Sequence, residues 1–353
     1  MPADTRQATS KTVLITGGAG FIGSNFVHYL FEHYPEYKII VLDCLTYAGS
    51  IRNLPEAYRA ENNSRCEFWY GNVRNAEIVN TLVSQADVVV HFAAETHVTR
   101  SIYDNLLFFE TDVLGTQAVA NAVLKHGDRV ERFIHISTSE VYGTASTTLM
   151  DEEHPLNPMS PYAGAKCGAD RLVYSYWATY KIPAIIVRPF NNYGPRQHLE
   201  KVIPRFITSS VLGESLTVHG DGSAARDFIH VDDTCRGLDA VMHAPREKVV
   251  GEVFNLASGV DRSIAAIAND VVSAMGYDPS RITSIGDRPG QVFRHTGDYA
   301  KINRVLGWEP TLSWEEGLQA TIDWYVANKE WWERQLWMRA IPIVTSSGKR
   351  EMH

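Results

Sequence analysis

Seven consecutive residues, Gly17-Gly18-Ala19-Gly20-Phe21-Ile22-Gly23, narrow the possible folds of this chain more than any other feature. A short β-branched apolar run, Thr12–Thr16, leads straight into them, and an amphipathic stretch over 22–32 follows. Strand, glycine turn and helix in that order make an anion site. Glycine lets a ligand approach the backbone, while the N–H groups and dipole at the helix start attract negative charge. In a βαβ unit the anion is a dinucleotide pyrophosphate. Two spacings fit, Gly18-x-Gly20-x-x-Gly23 and Gly17-x-x-Gly20-x-x-Gly23. The next apolar run ends at Asp43, 20 residues beyond Gly23. A carboxylate there accepts hydrogen bonds from ribose hydroxyls and repels a 2′-phosphate. Cys44 and Leu45 come next, so no arginine waits for that phosphate, and the expected cofactor is NAD.

The rest of the first half supports the same architecture. Apolar runs at 38–42, 88–92, 132–137 and 184–187 alternate with helical stretches at 77–83, 106–125 and Pro161–Tyr180. Runs that are apolar on both faces read as buried parallel strands. The expected fold is therefore α/β, a Rossmann-type doubly wound parallel sheet with a smaller C-terminal substrate-binding lobe. Residues 11–190 form the dinucleotide domain in this reading, and 228–257 return to it through a strand at Val253–Leu256. The lobe takes 191–227 and 258–340, with helices at 203–212, 232–243, 264–275 and Trp314–Ala327, and 341–353 form a tail. The aromatic cluster Trp324, Tyr325, Trp331, Trp332 and Trp337 reads as helix packed on the body.

Composition excludes several function classes. The net charge is −8 and no basic run stands out, which argues against a grip on nucleic acid. Cys44, Cys66, Cys167 and Cys235 lie far apart and form no CxxC pair, so neither a metal site nor a disulfide framework is expected. The first ten residues are polar, and no apolar stretch approaches a membrane span. A soluble cytoplasmic protein is the expectation.

Chemistry concentrates after the run at 132–137. Thr138-Ser139-Glu140 stands at its carboxyl end, where doubly wound folds place their ligands. Tyr162 and Lys166 follow four residues apart, hence on one face of a helix. An ammonium beside a phenol favours the phenolate. Tyr162 could then take a proton from a hydroxyl whose carbon gives hydride to NAD, with Thr138 bonded to the same hydroxyl.

With these residues in place the chain resembles the extended short-chain dehydrogenase/reductases that act on nucleotide sugars, over Thr12 to about Asn328. The second glycine spacing is the variant of that family. The first half looks most like the dTDP-glucose 4,6-dehydratases, through Leu42-Asp43-Cys44-Leu45-Thr46-Tyr47-Ala48-Gly49, Ala93-Ala94-Glu95-Thr96-His97-Val98-Thr99-Arg100-Ser101, Thr111-Asp112-Val113-Leu114-Gly115-Thr116 and Asn191-Asn192-Tyr193-Gly194-Pro195. The resemblance implies C4 oxidation of a hexose by Tyr162 and NAD, removal of the C5 proton by Glu140, loss of water from C5/C6 and return of hydride to C6. It implies that Gly17, Gly20, Phe21, Ile22, Gly23, Asp43, Asn72, Val73 and Ala93 hold the cofactor together with Tyr162 and Lys166. It also implies a nucleotide-diphosphate sugar held by His97, Arg100, Asn191, Val202, His219, Arg226 and Arg288, with the three cations Arg100, Arg226 and Arg288 suited to phosphate or carboxylate. His97 and Arg100 could equally be structural cleft residues. Family members pair through the helices that correspond to 106–125 and Pro161–Tyr180, so a homodimer is expected.

The chain departs from the dTDP pattern at two places. Ser139 stands where those enzymes have an aspartic acid that protonates the departing C6 oxygen, and a serine is a poor acid. Thr-Ser-Glu instead looks like the GDP-mannose 4,6-dehydratases and the UDP-glucuronate decarboxylases. Leu216-Thr217-Val218-His219-Gly220 replaces the usual base-pocket stretch and looks closer to UDP-sugar enzymes. Dehydration is the preferred reading. The alternatives are a UDP-glucuronate decarboxylase, then an NDP-sugar C4 epimerase or a 5,6-dehydratase.

Overall fold

The computed structural model describes residues 10–60, 63–286 and 293–339, together with the strands Pro342–Val344 and Arg350–Met352. Its main sheet holds β1 (Thr12–Thr16), β2 (Lys38–Asp43), β3 (Cys66–Tyr70), β4 (Val88–His91), β5 (Arg132–Ile136), β6 (Ala184–Pro189) and the later strand Val253–Leu256. Their order is Val253–Leu256, β6, β5, β4, β1, β2, β3, and every pairing is parallel. Alternate residues feed two separate cores. Val13, Ile15, Val41 and Ile134 pack with helices Phe21–His33 and Val231–His243. Leu14, Ile40, Val89 and Phe133 pack with Ala76–Val83, Thr116–Lys125 and Pro161–Tyr180. A strand covered on both faces has no use for polar alternation, which is why these runs read as continuously apolar.

Strand order reverses between β1 and β4, and the crevice above that point is where an open α/β sheet binds its ligand. β3 escapes the sequence reading because it is an edge strand. Cys-Glu-Phe-Trp-Tyr is only partly buried, and Tyr70 is 72% exposed. Helix Val98–Tyr103 is also absent from that reading. The stretch 106–125 is not one regular helix. It runs as Leu106–Phe108, a π-helical segment Phe109–Gly115 and Thr116–Lys125. The widened turn buries Thr111 and Asp112. At Gly115 any Cβ would meet Val73 Cγ2 at 2.7 Å.

The second lobe is built on Ala225–His230, flanked by Asn191–Tyr193, Asp261–Ser263 and Arg294–His295. Leu216–His219 pairs with Ile282–Ile285 beside it. Helices Val202–Leu212, Ile264–Ala274 and Trp314–Ala327 close over a core that includes Phe206, Ile267, Trp314 and Tyr325. Trp331 and Trp332 are buried, whereas Trp337 is 78% exposed. Trp331 Nε1 donates to Asn53 Oδ1 at 2.9 Å, and Asn53 Nδ2 donates to Ala19 O at 2.8 Å. The aromatic segment thus braces the glycine turn from outside.

Helix Pro161–Tyr180 starts at Ser160, whose Oγ accepts from Ala163 N at 3.1 Å, with Pro161 preset for the first turn. It ends at Lys181 in the left-handed region, φ 57°. Between those limits Tyr162, Lys166 and Asp170 repeat every fourth residue and share a face. Asp170 anchors that face. Arg188 on β6 gives it two bonds, Nε to Oδ2 at 2.9 Å and Nη2 to Oδ1 at 3.0 Å. Arg188 Nη1 donates to Tyr142 OH at 2.9 Å, and Tyr142 OH donates to Asn255 Oδ1 at 2.8 Å. Burial alone would raise the Asp170 carboxyl, but the Arg188 hydrogen bonds and charge hold it well below the usual carboxylate range. A depressed folded-state value means stability that is complete above the ordinary value of about 3.9 and is lost as pH falls below it. Substituting Asp170→Asn leaves a buried guanidinium without its counter-charge. Denaturant titration at neutral pH should show a loss of about 3–5 kcal/mol, and the gap to wild type should narrow in acid.

Candidate active site

The carboxyl ends of β1, β2, β4 and β5 open onto one continuous cleft. Gly17 has φ 69°, and a Cβ on it would lie 2.5 Å from Ala93 N; a Cβ on Gly23 would collide with Gly17 O. Gly17, Gly20 and Gly23 line the cleft, while the bare side of Gly18 faces Ile15 and Val41 in the core. The working spacing is therefore Gly17-x-x-Gly20-x-x-Gly23. No side chain caps helix Phe21–His33, so its first N–H groups face the cleft where an anion would sit. Asp43 closes the turn: Oδ2 accepts from Ala19 N at 2.9 Å and Oδ1 from Leu45 N at 2.8 Å. Each carboxylate oxygen keeps a lone pair for a ribose hydroxyl. A cradle that any Cβ would fill, with a carboxylate at the end of the second strand, fits NAD. Phe21, Ile22, Asn72, Val73 and Ala93 line the same half of the cleft.

The reacting half lies at the end of β5. Thr138 starts the short turn Ser139–Tyr142, with its Oγ1 accepting from Glu140 N at 3.2 Å. Thr138, Glu140, Tyr162 and Lys166 all line the cleft. Ser139 does not. It is 1% exposed, and its Oγ has no hydrogen-bond partner among the described residues. The chain alternates direction as it leaves the strand, so its two neighbours face out and Ser139 faces in. That corrects the expectation of Ser139 as a residue at the reacting centre.

The electrostatics at Tyr162 also differ from expectation. Burial pushes its phenol above the ordinary value. The charges of Asp112 and Glu140 push the same way, and only a hydrogen bond with Thr138 opposes them. Lys166 is engaged elsewhere: Nζ donates to Ile136 O at 2.7 Å, burial lowers its proton affinity, and Asp112 and Asp170 support its charge. Asp112 was missed by the sequence reading. The π-helical turn presents it, Oδ1 accepts from Glu95 N at 2.7 Å, and Oδ2 has no partner among the described residues. Burial raises its carboxyl to about 7 against the opposing charge of Lys166. In the sequence Asp112 stands as one member of the Thr111–Thr116 stretch, with nothing nearby to show that it meets Lys166.

Glu200 was missed as well, and it reassigns Arg100. The Glu200 side chain is buried; Oε1 accepts from Tyr47 OH at 2.8 Å and Oε2 from Arg100 Nε at 3.2 Å. The Arg100 guanidinium stacks on Tyr47 at 4.1 Å. Arg100 thus stands behind the wall, whereas His97 lines it, with Nε2 3.8 Å from Glu200 Oε2. Asn191, Val202, His219 and Arg226 line the lobe side of the cleft, as do Thr217 of the base-pocket stretch and the unforeseen Phe206 and Arg339. Arg288 lies outside the described residues. Among those residues, no group of three or more His, Cys, Asp and Glu is placed to hold a metal ion.

Known proteins are similar to this chain in sequence and in fold. Residues 14–321 match the family model described as GDP-mannose 4,6 dehydratase. A low-salt glycan biosynthesis protein, Agl12, from Haloferax volcanii is 46% identical over 90% of this chain and 99% of its own length. A dTDP-glucose 4,6-dehydratase from an Actinoplanes species is 40% identical over 91% of this chain and 99% of its own. The crystal structure of DesIV, a dTDP-glucose 4,6-dehydratase from Streptomyces venezuelae with NAD and TYD bound, superposes with a TM-score of 0.86. It is 39% identical, over 92% of this chain and 99% of its own.

Asp112 raises the Tyr162 phenol by its charge, so removing that charge should ease ionisation. In an Asp112→Asn variant, NMR of ring-labelled tyrosine should show Tyr162 titrating at lower pH than in wild type. An unchanged titration would mean that the carboxylate does not act on the phenol.

Proposed function

The chain belongs to the GDP-mannose 4,6-dehydratase family, and we propose that its cleft turns an NDP-hexose into an NDP-4-keto-6-deoxy-hexose through the residues that meet beside β5. NAD, when bound at Gly17, Gly20, Gly23 and Asp43, supplies a hydride acceptor that later gives the hydride back. Tyr162, once ionised, takes the proton of the C4 hydroxyl, with Thr138 bonded to the same hydroxyl. The C4 ketone then acidifies C5–H. Glu140 removes that proton while the C6 hydroxyl leaves as water, and hydride returns at C6. Arg226 and Asn191 hold the diphosphate, and His219 and Val202 lie towards the nucleoside.

The observation that carries this reading is the place of Glu140. A carboxylate faces the same cleft as Tyr162, close enough for its charge to act on the phenol. A C4 epimerase leaves the C5 proton in place and needs no base there. A UDP-glucuronate decarboxylase needs a cation for the C6 carboxylate, and Arg100 is committed to Glu200 and Tyr47. Dehydration is favoured over both.

We also propose a homodimer. Leu106 (64% exposed) and Leu114 (54%) leave large apolar side chains in solvent, with Tyr174 and Tyr180 exposed on the neighbouring helix. Exposed apolar side chains on these two helices support that pairing. No helix among the described residues is long and apolar enough to cross a membrane. A cytoplasmic site of action would keep the four free thiols reduced.

Purified protein with NAD should convert a member of a dTDP-, UDP-, GDP- and CDP-hexose panel to a 4-keto-6-deoxy product. In deuterium oxide, NMR should find deuterium at C5. Release of carbon dioxide from UDP-glucuronate would sink this reading. Glu140→Gln should still reduce nicotinamide transiently yet form no product, a loss of roughly 100-fold or more in turnover. Light scattering should give the dimer mass, and Leu106→Glu with Leu114→Glu should give the monomer.

A further inference from the structure

The reaction proposed for Glu140 leaves one proton unassigned. A carboxylate that takes the C5 proton must also see the C6 oxygen protonated, and Ser139 is buried and turned inward. Behind Glu140 the lobe supplies His295, from the short strand Arg294–His295. It is fully buried, with Nδ1 4.0 Å from Glu140 Oε1. Its Nε2 bonds Gly143 O. A carbonyl only accepts, so Nε2 carries the hydrogen and a neutral ring has its lone pair at Nδ1. Among the described residues that Nδ1 has no hydrogen-bond partner. A lone pair facing a carboxylate oxygen in a buried place is unfavourable unless a proton lies between them.

We propose that His295 and Glu140 share a proton and so supply the acid that position 139 lacks. His295 touches no substrate in this scheme; it is a positioning residue that acts through Glu140. The proposal rests on Glu140 as the C5 base. In the step, the C5–H bond breaks and its proton goes to Glu140, while its electron pair forms the C5–C6 double bond. The C6–O bond breaks, and the oxygen leaves with the bonding pair and one proton from the Glu140–His295 pair, as water. The pair gains one proton and gives up one.

Several groups set the proton affinity of His295. Burial lowers it, the Glu140 charge raises it, Arg226 lowers it, the Gly143 carbonyl raises it, and His154 lowers it. The Phe190 ring packs against it edge-on at 6.3 Å and carries no charge. Because the net direction is down, the shared proton is lost below the ordinary imidazole range, and elimination should slow as pH rises through that lower range.

His295→Gln keeps an amide donor for Gly143 and removes the titrating nitrogen. Nicotinamide reduction on mixing with substrate should proceed as in wild type, reduced nicotinamide should accumulate, and turnover should fall roughly tenfold or more. The decline of turnover with rising pH should flatten. An independent readout needs no change at 295: NMR of ring-labelled histidine should show His295 titrating at lower pH in Glu140→Gln than in wild type. Turnover and pH profile within about twofold of wild type in a folded His295→Gln, or identical titration of His295 with and without Glu140, would overturn the proposal. Normal turnover in Glu140→Gln would instead remove Glu140 as the base, a separate failure.

Discussion

The bidentate pair between Arg188 and Asp170 is the constraint on which the reacting half of this molecule hangs. It is a buried charge pair, so its own net contribution to stability is modest, but losing either partner strands the other. What it secures is position. Asp170 lies one turn past Lys166, and Arg188 also reaches Tyr142 and, through it, Asn255. One guanidinium thereby ties the catalytic helix, the turn carrying Glu140, β6 and the strand Val253–Leu256 into a single register. The phenol, ammonium and carboxylate line one cleft because that frame does not slip.

Dehydration on this scaffold asks two carboxylates to behave differently. Glu140 has to exchange protons with substrate, so it faces the cleft. Asp112 is shut inside the π-helical turn, where burial and Lys166 compete for its proton. Lys166 stands between an amide carbonyl and two aspartates, which explains how an ammonium survives complete burial. The cleft is electrostatically crowded, and the balance at Tyr162 is set by groups on two elements, the π-helical segment and the turn after β5.

How much of this was legible in the sequence follows from which interactions are local. The sheet was readable because strands buried on both faces are uninterrupted apolar runs, and β3 was not because it is an edge. The glycine turn, Asp43, Tyr162 and Lys166 were readable because strand ends and helical spacing fix them locally. The two glycine spacings could not be separated, since the choice depends on Gly18 facing Val41 across the sheet. The roles of Glu200 and Asp112 were invisible for a related reason. Each is a carboxylate whose meaning comes from partners far away in the chain, Arg100 for one and Lys166 for the other. Arg100 was placed in the cleft because nothing nearby in sequence announces Glu200. His295 joins Glu140 from across more than a hundred residues, as its 152-residue separation from Gly143 illustrates.

The bond from Trp331 to Asn53 spans 278 residues of chain and ends on the residue that holds Ala19 in the glycine turn. At ordinary rates of synthesis, tens of seconds separate the emergence of the two partners. The dinucleotide domain therefore leaves the ribosome with its sheet complete but its glycine turn unbraced. Cofactor affinity should mature late, after the aromatic segment docks. A chain cut short before that segment would look folded by its sheet while holding dinucleotide loosely, and coupling of this kind makes the far end of the molecule a checkpoint on the quality of its beginning.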